Sequence, residues 1–138
     1  MSTAPTTTHT PTTDRSLMIL IAGPYLSGTD GDPQRIAANM ARMESYALPL
    51  YERGHLMMIG EWAALPIIHA AGGRQHGDEV FHRYQYPVAQ RLLAHCDAVL
   101  RIPGASRGAD QDVARARALG LVVFERLEDV PWHVPACA

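Results

Sequence analysis

LMILIA, residues 17–22, is the stretch whose reading decides the fold. Six apolar residues in a row are too few for a helix of ordinary length, and their lack of alternation marks a strand buried on both faces. The run stops at Gly23, Pro24 and Tyr25. Glycine permits close approach of another backbone there, and proline cannot continue a hydrogen-bond ladder. A strand covered on both sides needs helices above and below it, so the flanking sequence should alternate strand with helix.

The pattern on either side meets that requirement. Asp32 followed by Pro33 gives an N-cap with proline at the first helical position, and Ile36, Met40, Met43, Ala47 and Leu50 then recur at helical spacing. Gly54 closes this helix, with Pro49 bending its last turns. Residues 56–59 read as a second strand, and a short helix over 61–65 should end before Pro66. Phe81, Tyr84, Val88 and Leu92 mark another helix face, bent near Pro87. Residues 98–102, entered through Asp97, form the third strand; 109–119 form an Ala- and Arg-rich helix stopped by Gly120; 121–124 form the fourth strand. Right-handed crossovers then give an α/β fold of one domain, a flavodoxin-like three-layer sandwich with a central parallel sheet of four to five strands. The expected strand order is second, first, third, fourth. Residues 1–16, rich in Thr and Pro, have no apolar face to offset the entropy of ordering and read as a disordered tail before a domain over 17–138.

Composition narrows the function. A formal charge of -2 with 19% charged residues provides no basic footprint for a nucleic-acid polymer. All 12 basic residues are Arg, which fits a genomic bias at least as well as a demand for bidentate anion contacts. Cys96 and Cys137 form neither a metal knuckle nor a disulfide framework, which points to a reducing cytosol. No apolar segment approaches the roughly 20 residues of a membrane span, and the N-terminus lacks signal-peptide order, so a soluble cytoplasmic protein is expected. His69, His76 and His82 lack HxxxH or HExxH spacing, so no metal is expected. Neither GxGxxG nor a Walker pattern is present, and no cofactor is expected.

In open parallel sheets ligands bind beyond the carboxyl ends of the strands, where strand order reverses. GPYLSGTDGD follows the first strand and PGASRGADQD the third, and the expected order brings these loops together. The second loop runs into a helix whose free N–H groups suit an anion, with Ser106, Arg107 and Gly108 as candidates to hold it; equally, Ser106 or Asp110 merely caps the helix. Asp110 and Asp112 point in different directions from the first turns, so one of them at most faces the cleft. Glu61 stands just beyond the second strand. Tyr25 either aims its hydroxyl into the cleft or packs on the core. Asp97, at the opposite strand end, suits a structural role, and Cys96 a buried apolar one.

IAGPY after the first strand, ERGH after the long helix, and CDAVLRIPGASRGADQDVARARALG together resemble the nucleoside 2-deoxyribosyltransferase superfamily, especially its small DUF4406-type members, over residues 18–128. The resemblance implies a flavodoxin-like fold, homo-oligomeric assembly, and cleavage or transfer of the N-glycosidic bond of a small nucleoside or nucleoside 5′-monophosphate. It implies that Tyr25 orients the nucleophile and that Ser106 and Gly108 belong to the phosphate or sugar loop; Gly23, Pro24, Gly104 and Arg107 are the further substrate-binding candidates of the two loops. The family's catalytic glutamate falls on Asp112, shorter by one C–C bond, about 1.5 Å. Aspartate can still attack an anomeric carbon, with Asp110 as the alternative nucleophile and Glu61 as the acid for the leaving base. The shorter side chain fits equally a non-catalytic nucleotide-binding or sensing module on the same fold, and a protein that works through assembly is the third reading.

Overall fold

A computed structural model describes residues 10–74 and 77–135. Strands β1 (Thr12–Thr13), β2 (Met18–Ala22), β3 (Leu56–Ile59), β4 (Ala98–Arg101), β5 (Val122–Phe124) and β6 (Trp132–His133) are connected by helices α1 (Pro33–Glu44), α2 (Ala47–Glu52), α3 (Gly60–Ala70), α4 (Glu79–Leu93) and α5 (Arg107–Ala118). The main sheet is parallel throughout, in the order β3-β2-β4-β5, which is the expected order. After β3 the chain crosses to the other side of β2, so strand order reverses between β2 and β4.

Successive residues of β2 face opposite layers. Ile19 and Ile21 share a buried cluster with Ile36 and Met43 of α1 and Leu50 of α2. Leu20 and Ala22 pack with Leu93 of α4 and Ala109, Val113 and Ala116 of α5. An unbroken apolar run is what this placement demands: each of Ile19–Ala22 is at most 3% exposed.

Three local expectations are corrected. The helix expected from Pro33 to Gly54 is two helices, because the chain breaks at Ser45 and Tyr46. Ser45 Oγ donates to Arg42 O at 2.6 Å in that break, and Pro49 then lies in the first turn of α2, where a missing N–H costs nothing. The helix expected over 61–65 instead runs through Pro66 to Ala70, since buried Ala64 and Ile68 anchor both halves while Pro66 stays on the exposed side. The tail ends earlier than composition implied. Thr12–Thr13 pair in parallel with Trp132–His133, and Trp132 N and Val134 N donate to Pro11 O and Thr13 O, each at 2.8 Å. Backbone carbonyls make this pairing, so no apolar side chain was there to announce it. Residues 1–9 and 136–138, the latter including Cys137, lie outside the described residues.

Two polar side chains at the amino ends of the strands are fully used. Asp97 accepts from Met18 N at 2.9 Å through one oxygen and from Arg15 through the other, the structural role expected of it. His55, 1% exposed, accepts from Leu17 N through Nδ1 at 3.0 Å, and its Nε2 donates to Pro131 O at 2.5 Å. That pairing sets the ring tautomer. Cys96 is buried, as expected.

Candidate active site

At the carboxyl ends of β2 and β4 the two glycine-bearing loops interlock. A Cβ on Gly23 would lie 2.4 Å from Ile102 Cγ1, and one on Gly104, where φ is +119°, would lie 2.6 Å from Pro24 Cγ. Each loop thus inserts a side chain where the other has none. Arg101 staples the second loop, its guanidinium donating to Ile102 O at 2.6 Å and Gly104 O at 2.8 Å and pairing with Asp110 at 3.1 Å.

In front of this junction opens a cavity of about 360 Å³. Gly23 and Tyr25 after β2, Glu61 at the start of α3, and Ser106, Arg107, Gly108 and Asp112 of the α5 segment all line it. Pro24 and Gly104 do not; buried Pro24 lies against exposed Gly104, a contact that joins the loops. Asp110 is also outside the lining and is exposed in its pair with Arg101, which leaves Asp112 as the carboxylate that α5 presents to the cavity. Ser106 does what the simpler reading gave it, since its Oγ accepts from Ala109 N at 3.1 Å and caps α5. Gly108 differs from Gly23 and Gly104: a Cβ built there meets nothing within 4 Å.

Helix α4 supplies the wall that sequence reasoning missed, through His82, Gln85, Tyr86 and Ala89. Their i, i+3, i+4, i+7 spacing is a second stripe beside the apolar one, readable as a polar face but silent about what it faces. Phe81 stacks on Tyr25 with ring centroids 6.2 Å apart. Tyr25 is 6% exposed, and its carbonyl accepts from Asn39 Nδ2 at 2.8 Å. Packing and lining are therefore both true of Tyr25.

Burial controls the charges. It pushes the Asp112 carboxyl up to about 7, opposed by the Arg101 guanidinium. Glu61 is also raised to about 7, by burial first, with its own backbone opposing, the Asp112 charge adding to the rise, and the Gln85 amide opposing. Gln85 Nε2 donates to Glu61 Oε1 at 3.2 Å. The Tyr25 phenol is pushed up to about 12 by burial and then by the Glu61 charge. Two carboxyl groups on one apolar cavity, each ionising near neutrality, can hold one proton between them. Among the described residues no cluster of His, Cys, Asp or Glu could hold a metal ion, and no helix is long and apolar enough to cross a membrane. No protein-family model matches the chain, and no curated protein matches its sequence.

Proposed function

We propose that the protein cleaves or transfers the N-glycosidic bond of a small nucleoside or nucleoside 5′-monophosphate, in the manner of the nucleoside 2-deoxyribosyltransferases it resembles. The observation that carries this reading is the pair of Glu61 and Asp112 on one cavity, both ionising near neutrality. Glu61 is the more deeply buried of the two, and the Arg101 cation acts on Asp112, so the favoured distribution leaves the proton on Glu61 and the charge on Asp112.

That distribution suits a double displacement. An Asp112 oxygen bonds to the anomeric carbon as the carbon–nitrogen bond breaks, and the departing base takes the Glu61 proton together with the bond's electron pair. Water or an acceptor then attacks the same carbon, gives its proton to Glu61, and releases the Asp112 carboxylate. Tyr25 keeps its proton throughout and donates near the reacting carboxylates. The cavity volume is within the roughly 300–1,000 Å³ of small-molecule sites. The first turn of α5, open at Gly108 and flanked by exposed Arg107, suits a 5′-phosphate. In keeping with the resemblance the protein works as a homo-oligomer, and its cysteine usage supports a cytoplasmic setting.

The shorter reach of Asp112 supports a second reading, a module that binds the nucleotide without cleaving it. Incubation with a panel of nucleosides and 5′-monophosphates, followed by chromatography for free base, separates the two. Released base that increases in Asp112→Glu supports the enzyme; thermal stabilisation by the same ligands with no base from either protein replaces it with the binding module.

A further inference from the structure

We infer that Gln85 is the positioning residue of the acid, an amide that holds the Glu61 carboxyl in one orientation in both of its charge states. The description of Glu61 as an acid rests on the proposed function; the geometry does not. Gln85 Nε2 donates to Glu61 Oε1 at 3.2 Å, a bond suited to an ionised carboxylate, which can only accept. Once Glu61 takes a proton it must donate, and a partner made only of donors would then fail it.

The other end of the same amide meets this need. Gln85 Oε1 is shut away from solvent and has no hydrogen-bond partner among the described residues. Half a turn about the last side-chain bond, a broad and nearly two-fold torsion, therefore breaks no bond except the one it replaces. The carbonyl then accepts from the Glu61 O–H where the NH2 group had donated. A buried acceptor with no partner is a standing cost, and a purely structural residue here would be better as methionine. The remaining titratable or charged groups on the cavity are Asp112 and Arg107 from α5, Tyr25 from the loop after β2, and His82 and Tyr86 from α4, with Arg101 acting on Asp112 from β4. Gln85 is the amide hydrogen-bonded to Glu61, and it carries a donor and an acceptor at opposite ends of one rotor.

In turnover the amide follows the proton. When the leaving base takes it, the NH2 end faces the new carboxylate; when attacking water returns it, the carbonyl end does. The test uses the full chain with Gln85→Met, which removes both ends, and Gln85→Lys, which offers donors only. Where either fails to melt cooperatively, Gln85→Leu stands in for Gln85→Met and Gln85→Arg for Gln85→Lys. Carboxyl-carbon magnetic resonance, assigned through Glu61→Gln, follows the Glu61 titration without needing activity. The midpoint should move upward by about half a pH unit in Gln85→Met, because the bond lost to the carboxylate is stronger than the one lost to the neutral acid, and downward in Gln85→Lys. In base release both variants should lose about tenfold in kcat with KM within about twofold, the pattern of a positioning residue. A Glu61 midpoint unmoved in both folded variants, or an unchanged kcat and pH profile, overturns the role. If the parent releases no base the titration alone decides: opposite movements sustain Gln85 as the partner of Glu61 even though the glycosidic reading has failed.

Discussion

The two ends of the sheet use the same kinds of residue to opposite purposes. At the amino end, His55 and Asp97 have every side-chain nitrogen or oxygen engaged, by Leu17 N, Pro131 O, Met18 N and Arg15. At the carboxyl end, Glu61 and Asp112 are taken out of water with too little compensation, and both carboxyls rise to about 7. A buried polar group that is fully partnered holds the chain together; one that is not is held in readiness for something the chain does not contain. Each prediction below attacks one end and leaves the other intact.

Asp112→Asn should produce the largest effect, a loss of base release of at least about a thousandfold, equivalent to roughly 4 kcal/mol of transition-state stabilisation. Chromatographic assay at saturating substrate checks it, and an Asn variant as active as the parent removes the nucleophile. His55→Leu should come next, at about 3 kcal/mol of folding stability, because two buried backbone partners lose their hydrogen bonds at once. Denaturant titration measures that loss, and base release per folded molecule should be unchanged.

The third prediction concerns pH. Both cavity carboxyls ionise near 7 when folded and near 4 when unfolded, so between those values the folded state binds more protons. Their contribution to stability is therefore complete at or below about pH 4 and is lost as pH rises to about 7. Asp112→Asn should raise the melting temperature at pH 8 by a few degrees and narrow the gap between pH 5 and pH 8. An Asn variant that melts below the parent at pH 8 would show that the carboxylate is well compensated after all. The smallest effect should follow deletion of residues 2–13, which removes the carbonyls of Pro11 and Thr13 from the strap. Melting should fall by a few degrees, since about 1 kcal/mol is typical of the hydrogen bonds lost. No change would mean that β1 adds nothing to β6.

The difference between the two ends also explains what could be read in advance. Strand order, the meeting of the loops after β2 and β4, and the structural use of Asp97 were legible because apolar runs and the crossover rule are local signals with one consistent global solution. The choice of Asp112 over Asp110 was half legible: helix geometry said that the two diverge, and only the Arg101 staple shows which of them faces solvent. Pro24 and Gly104 looked like ligand contacts because glycine and proline mark close approach without saying to what, and here it is to each other's loops. The α4 wall and the His55 tie joined residues far apart in the chain, with no repeat or motif linking them. Pro66 was read as a stop because propensity counts the missing hydrogen bond and cannot count the core contacts of Ala64 and Ile68.

The interlocked loops have a consequence for how this site can evolve. Gly23 can accept a side chain only if Ile102 first shrinks, and Gly104 faces Pro24 with a backbone conformation that itself excludes larger residues. The four positions are therefore bound in epistasis, with most single steps through a less stable intermediate. Drift is instead channelled to α4, where His82 and Tyr86 are exposed at the cavity and can be exchanged without disturbing either loop. A lineage changing its substrate would be expected to do so along that helix, with its loop sequences almost unaltered.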